Sequence, residues 1–408
     1  MIVIAPSGTR RRVPVALGAC LVSLAVFWIA QCAAHVSMID LLVYRAEGAT
    51  VRAGGDLYAL RATTAGLPTT YPPFAALVFT PLTLLESAQL RVLATLGNLV
   101  LLVVLVRLSL RLVGHARVES VWWIAAAAVW CEPVWTTLRY GQINLLLAVL
   151  VLWDLSRRSA DGPNRWAGAA LGLAAAVKLT PALFVVFLVA TGVVAHLRGG
   201  DGGPWLRHAR GAVVAFTGAT LLAAAVLPYD SWRFWTDMVF RTGRVGHAED
   251  TANQALRGVL ARLLHTGAPG GLWALLAALT AVAGLWLAIT AELRGRRSWA
   301  VVACAVTALL ISPVSWSHHW VWCVPLVVVL WRDGHRVTAV TCAAVFCSYG
   351  LWWVPHGSGR PELHQGGIEL TLSALYGACG LLFLVLTGHR LGRTPLPRTG
   401  AGQAVTNE

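Results

Sequence analysis

The chain has 408 residues, 57% of them hydrophobic and only 12% charged, with 32 Lys+Arg against 18 Asp+Glu and a formal net charge of +14. Together with a mean hydropathy of +0.67, this balance excludes an ordinary soluble domain and makes lipid the main solvent. The positive charge does not point to nucleic acid, because the arginines form short clusters between apolar runs, the pattern of cytoplasmic loops in polytopic membrane proteins. The eight cysteines fall mostly within apolar runs and make no C-x-x-C pair, so they read as packing residues, neither a disulfide framework nor a metal site.

In chain order, Arg10-Arg11-Arg12 sets the N-terminus on the cytoplasmic side, ahead of a first apolar run that reads as a retained anchor. Spans are expected at about 13–35, 88–112, 118–137, 143–156, 166–178, 182–197, 211–228, 271–292, 298–313, 319–331, 336–353 and 368–388, about twelve in all. The stretch from Tyr71 to Glu86 is apolar but interrupted by Pro72, Pro73 and Pro81, and reads as a helix dipping into the outer face. With this threading the arginine-rich loops face the cytosol, as does the basic tail 390–408, expected to be disordered. Residues 1–389 then form one polytopic domain with a first outer loop at 36–87, carrying interfacial helices, and a large outer loop at 229–270.

The same threading gathers the polar motifs at the outer ends of spans, so one concave outer site is expected. After the first span, Ile39, Leu42, Val43, Ala46 and Ala49 make an apolar stripe at helical spacing, with Asp40, Tyr44 and Glu47 on the opposite face and Arg45 elsewhere. Asp40 reads either as the wet side of an interfacial helix or as a general base at the lipid surface. Gln142 and Asn144 in RYGQIN are polar lining or helix-end caps. Lys178 is the only lysine, set in AAAVKLTP where Pro181 breaks a helix; arginine serves every other basic position, so a point charge for a phosphate fits it better than a topological accident.

The 229–270 loop offers tryptophans and the amides Asn253 and Gln254 for sugar faces and hydroxyls, and Arg241, Arg244, Arg257 and Arg262 for phosphate, although a solvated loop accounts equally well for any one of them. In SPVSWSHHW, Trp316 and Trp320 flank His318 and His319; adjacent histidines cannot share a helix face and no acidic or thiol ligand stands at metal spacing, so they suit a phosphate or sugar better than zinc. There is no Walker motif, no G-x-G-x-x-G after a strand, no G-x-S-x-G, no H-E-x-x-H and no D-x-D. An enzyme built this way would draw its donor from the membrane.

Asp40-x-x-x-Tyr44-Arg45, Gly55-Asp56-Leu57-Tyr58, Tyr71-Pro72-Pro73-Phe74, Gly141-Gln142-x-Asn144, Lys178-Leu179-Thr180-Pro181, Asn253-Gln254 and Ser315-Trp316-Ser317-His318-His319 run in order through most of the chain. As an ordered set they resemble glycosyltransferase family 87, the actinobacterial polyprenol-phosphate-mannose-dependent α-(1→2)-mannosyltransferases of the C-type glycosyltransferase fold. The resemblance implies an all-α polytopic membrane enzyme with an outward-facing site and no metal or other cofactor. It also implies a polyprenyl-phosphate sugar donor, a glycolipid acceptor and Asp40 as base. Lys178, His318, His319 and Arg257 are then expected at the donor phosphate, and Tyr44, Arg45, Tyr71, Gln142, Asn144, Asn253, Gln254 and Trp316 around the substrates. Ala255 departs from the serine expected after Asn-Gln. An arabinosyl donor, or a transporter or flippase of lipid-linked sugars, are the alternatives; no internal repeat or midplane charge pair favours transport.

Overall fold

The computed structural model describes residues 7–115, 117–156 and 165–393. The arginine cluster over 157–164 and the tail from 394 onward lie outside the described residues. In chain order the helices begin with α1 (Ser7–Ala33), α2 (Ile39–Ala53), α3 (Pro73–Phe79), α4 (Ser87–Leu112), α5 (Val118–Ala128) and α6 (Glu132–Tyr140). There follow α7 (Asn144–Ser156), α8 (Ala169–Val177), α9 (Ala182–Leu197), α10 (Gly203–Val226), α11 (Pro228–Thr236) and α12 (Leu256–Leu263). The last are α13 (Gly270–Leu293), α14 (Arg297–Ile311), α15 (Cys323–Arg332), α16 (Arg336–Cys347), α17 (Gly367–Ser373) and α18 (Leu375–Arg393). Among the described residues the only sheet is a short antiparallel pair in the first loop, β1 (Arg61–Ala62) with β2 (Leu67–Pro68).

Each expected apolar run contains a helix, with three differences of substance. Among the described residues five helices are long and apolar enough to cross a membrane, or six if α6 and α7 count as one span bent by 117°; the remaining runs hold shorter helices. The run 118–137 is not continuous: α5 ends, Cys131 is extended, and α6 restarts with Pro133 in its first turn, where a missing N–H costs nothing. At the other end, α18 continues to Arg393, so the first residues of the expected tail are helical.

The centre of the molecule is α14, buried on all sides from Trp299 to Leu310, as a helix apolar all round must be. The segment Tyr71–Glu86 forms α3 and a 3-10 turn, and both pack on α2. That contact needs Gly48, because a Cβ there would stand 2.6 Å from the Phe79 carbonyl oxygen. Consequently the Asp40–Tyr44–Glu47 face of α2 is turned into the protein: Tyr44 and Glu47 are buried while Ala49 is exposed.

The short helix α8, which ends at Lys178, is fixed at its N-terminal end and along one flank. The Asp154 carboxylate, at the end of α7, caps it by accepting from the Gly168 and Leu171 N–H groups at 3.0 and 2.9 Å. Its flank is set against α10 through glycine: a Cβ on Gly172 would lie 2.2 Å from the Ala212 oxygen, and one on Gly211 2.0 Å from the Ala167 oxygen. Gly172→Leu is therefore expected to lower stability by about 1–3 kcal/mol and to move Lys178, whereas Gly218→Ala inside α10, with nothing within 4 Å of the added carbon, leaves Lys178 in place and raises stability by about 0.5–1 kcal/mol. Thermal unfolding of the two variants in detergent checks this.

Candidate active site

The site is assembled around the bend between α6 and α7. Gly141 takes a left-handed conformation (φ 67°) that ends α6, and it also lies against α2, where a Cβ would meet that of Leu41 at 2.7 Å. The turn presents Gln142 and Asn144 on either side. Gln142 Nε2 donates to Asp40 Oδ2 at 2.5 Å, and its Oε1 accepts from the hydroxyls of Tyr44 (2.7 Å) and Tyr71 (3.2 Å). Two donors on the oxygen fix which way the amide faces, so the nitrogen must point at the carboxylate. Tyr44 is further held by stacking on Phe79 with ring centroids 4.4 Å apart.

On the opposite wall Lys178 leaves α8 in extended conformation. Its Nζ donates to Asn144 Oδ1 at 3.2 Å and approaches His319 Nε2 at 3.0 Å. An ammonium has no lone pair, so that imidazole nitrogen is the acceptor. The ammonium also sits 5.3 Å from the centre of the Tyr71 ring, a cation–π contact. Asn144 Nδ2 and Thr137 Oγ1 both donate to the His318 carbonyl, at 3.1 and 3.0 Å, which ties the histidine turn (Ser317–Trp322) to α6 and α7. His318 Nε2 is buried without a partner, a group that asks for a ligand.

Between these walls lies a cavity of about 450 Å³, lined among others by Asp40, Tyr71, Lys178, Trp316, His318 and His319. Burial raises the Asp40 carboxyl above its ordinary range, while the Gln142 hydrogen bond and the Lys178 charge act the other way. One face of the cavity thus carries a carboxylate that accepts a proton more readily than an exposed aspartate, and the other a cationic, imidazole-lined wall suited to an anion. Among the described residues, no three His, Cys, Asp or Glu side chains converge as a metal site.

The other expected site residues lie elsewhere. Arg257, on α12, does not line the cavity; its guanidinium lies over the Trp273 ring at 5.4 Å. Arg45 donates to the Leu85 carbonyl at 3.3 Å, away from the cavity. Asn253 and Gln254 are fully buried and committed to backbone: Asn253 Oδ1 accepts from Ser315 N, and Gln254 reaches the Thr251 and Ser373 carbonyls and the Tyr376 N–H. They fasten the 229–270 loop to the segment carrying Trp316, and Arg262 reinforces that junction by donating to the Glu249, Asp250, Asn253 and Ser373 carbonyls.

Of three further contributors, the sequence offers only Arg244, as one of four loop arginines suited to phosphate, and does not single out Trp352 or Glu132. Arg244 lines the cavity and clamps the large loop to the first, donating to the Thr69, Thr70 and Met238 carbonyls. Trp352 also lines the cavity. Behind it, the fully buried Glu132 accepts on Oε1 from Thr136 (2.7 Å), Ser317 (2.8 Å) and Trp352 Nε1 (3.0 Å), and on Oε2 from Tyr376 (2.9 Å). In sequence Glu132 looks like an ordinary acidic residue in a helix's first turn; three of its donors are 185 to 244 residues away, which no spacing rule reveals.

Glu47 lies two helical turns beyond Asp40 on the same face, with both carboxyl oxygens buried and unpartnered. Burial carries its pKa from an ordinary 4.5 to about 8, against the opposing charge of Arg244. The folded state therefore holds the proton more tightly than the unfolded chain, and stability is full below about pH 4.5 and declines as pH rises to about 8. Glu47→Gln is expected to flatten that decline in thermal unfolding measured across pH 5 to 9; an unchanged slope would show that another group sets it.

The sequence profile described as glycosyltransferase family 87 matches residues 70–313. The chain is 34% identical over 406 residues to a polyprenol-phosphate-mannose-dependent alpha-(1-2)-phosphatidylinositol pentamannoside mannosyltransferase of Mycobacterium tuberculosis, covering 96% of this chain and 88% of the relative. It is 36% identical over 292 residues to a polyprenol-phosphate-mannose-dependent alpha-(1-2)-phosphatidylinositol mannoside mannosyltransferase of the same species, covering 68% of this chain and 65% of that relative's length. A relative with the same description from Mycolicibacterium smegmatis is 37% identical, covering 78% of this chain and 75% of its own. Among solved structures, ArnT from Cupriavidus metallidurans bound to undecaprenyl phosphate aligns with 91% of this chain and 77% of its own, at 15% identity and a TM-score of 0.43. The chain belongs to glycosyltransferase family 87.

Proposed function

We propose that this protein moves a mannosyl residue from a polyprenyl-phosphate donor to a glycolipid or lipoglycan acceptor at the outer face of the membrane, giving an α-(1→2) linkage. The observation that carries the reading is the facing of Asp40 and the Lys178–His319 pair across one cavity, from separate helices. The descriptions of the curated relatives supply the donor class and the linkage. Residues 1–389 act as one catalytic domain, with both termini cytoplasmic.

In this account the donor phosphate lies against Lys178, His318 and His319, and Asp40 takes the acceptor's proton. The acceptor oxygen attacks C1 of the sugar, the bond from C1 to the phosphate oxygen breaks, and that oxygen keeps the electron pair. A polyprenyl phosphate is a good leaving group, so it needs charge stabilisation more than a protonating acid, and one carboxylate suffices where a glycosidase uses two. Attack from the opposite face inverts the anomeric centre, turning a β-linked donor into an α-linked product. Tyr71 and Trp316 supply ring faces for the sugars, while Tyr44, Gln142 and Asn144 act by holding Asp40 and Lys178.

Membranes containing the protein, given radiolabelled polyprenyl-phosphate mannose and candidate glycolipids, are expected to form an α-(1→2)-linked product. Asp40→Asn should lower that transfer about 10²–10⁴-fold with donor still bound. Lys178→Ala should weaken donor binding about ten- to a hundredfold and leave acceptor binding nearly unchanged; equal losses for both would remove the phosphate role. Transfer of arabinose in place of mannose would reassign the donor. For orientation, alkaline phosphatase fused after His389 should be inactive in cells and a fusion near Gly246 active, and the reverse pattern would turn the site inward.

A further inference from the structure

A fully buried carboxylate with no cation against it is costly unless its oxygens are filled by donors. Glu132 meets that condition with four, drawn from four places in the fold: Thr136 on its own helix, Ser317 in the histidine turn, Trp352 in the 3-10 turn Gly350–Trp352, and Tyr376 on α18. Two of these donors, Ser317 and Trp352, line the cavity. Ser317 immediately precedes His318 and His319, and the His318 carbonyl is held from the same helix by Thr137 and from α7 by Asn144, which also holds Lys178. Hydrogen bonds and two short stretches of backbone thus connect Tyr376, Glu132, Ser317, His318, Asn144, Lys178 and His319.

A core that needed only packing would place apolar side chains here, since replacing a buried ionic group with well-packed carbon is neutral or stabilising in many proteins. What the carboxylate adds is a fixed position for four donors at once, two of them on residues that line the cavity and one of these, Ser317, adjoining His318 in sequence.

We propose that Glu132 is a positioning residue for the lipid-phosphate subsite: it sets the register of the Ser317–His319 turn so that the unpartnered His318 Nε2 and the Lys178–His319 pair converge on one anion. The proposal rests on the reading of that wall as the donor-phosphate site. It assigns no contact between Glu132 and substrate. A second consequence is that the four donors act as a unit, so removing them one at a time is not additive.

The test uses purified full-length protein in detergent or nanodiscs with undecaprenyl phosphate as probe, and reads binding, independent of any transfer activity, beside thermal unfolding. Glu132→Gln keeps size and one acceptor but turns an N–H₂ toward donors, and is expected to weaken probe binding about tenfold. Tyr376→Phe, which removes the donor on Glu132 Oε2 and keeps the ring, should weaken it about two- to threefold in a folded protein. The double variant should bind like Glu132→Gln alone. Probe affinity unchanged in Tyr376→Phe and Glu132→Gln, with only unfolding temperature lowered, would overturn the proposal, as would strictly additive losses. Should Glu132→Gln not fold, Tyr376→Phe and Ser317→Ala decide it by the same two readouts. Failure of the mannosyl-transfer reading would appear separately, as a wild-type protein that binds the probe yet transfers no mannose.

Discussion

The bend between α6 and α7 turns the chain at a left-handed Gly141, and the two amides that follow reach opposite walls of the cavity. Gln142 holds Asp40 and Asn144 holds Lys178 and the His318 carbonyl. The spacing between base and cation is therefore not left to two long helices meeting across a membrane, but to a four-residue turn that touches both. Any side chain at position 141 would collide with Leu41 on α2 as well as strain the backbone, so the turn and the docking of the Asp40 helix are one constraint.

Much of the remaining fold serves to bring other parts to that turn. The glycine contact with α10 and the Asp154 cap set where α8 ends, and so where Lys178 emerges. Gly48 allows α2 to lie on α3, directing Asp40, Tyr44 and Glu47 into the protein. Arg244 ties the large loop to Thr69 and Thr70 just before Tyr71, whose ring lies beside the ammonium. A lone lysine next to a membrane is tolerable because amide, imidazole and aromatic face surround it. None of these three partners carries a full negative charge, so the ammonium retains the capacity to meet one.

What the sequence revealed followed the strength of the local signal. The apolar runs marked every principal helix, and the order of polar motifs brought Asp40, Tyr71, Gln142, Lys178, Trp316, His318 and His319 to a single cavity. The interruption after α5 is visible in sequence as Glu132-Pro133 within a mostly apolar run, and hydropathy averages over it. Arg257, Asn253 and Gln254 have side chains suited to phosphate and sugar, but chemistry of type does not disclose whether a group is already used; the amides are consumed by backbone at Ser315, Ser373 and Tyr376. Glu132 was illegible for the converse reason, since its donors converge only once the chain has folded. The helix α2 is amphipathic as its spacing indicates, yet Tyr44 and Glu47 on its polar side are buried in protein together with Val43 of its apolar stripe, and helical periodicity alone does not tell which face meets protein.

The claim on which the rest turns is that the lipid phosphate and the reacting sugar carbon are held between Lys178 and Asp40. A cryo-electron microscopy structure with a non-transferable polyprenyl-phosphate sugar analogue tests it directly. The account predicts phosphate oxygens within about 3 Å of Lys178 Nζ, the histidine turn closing on the same group, and the anomeric carbon turned toward the Asp40 side of the cavity. Phosphate density against Arg257 or Arg241, with Lys178 still engaged only by Asn144 and His319, would contradict it.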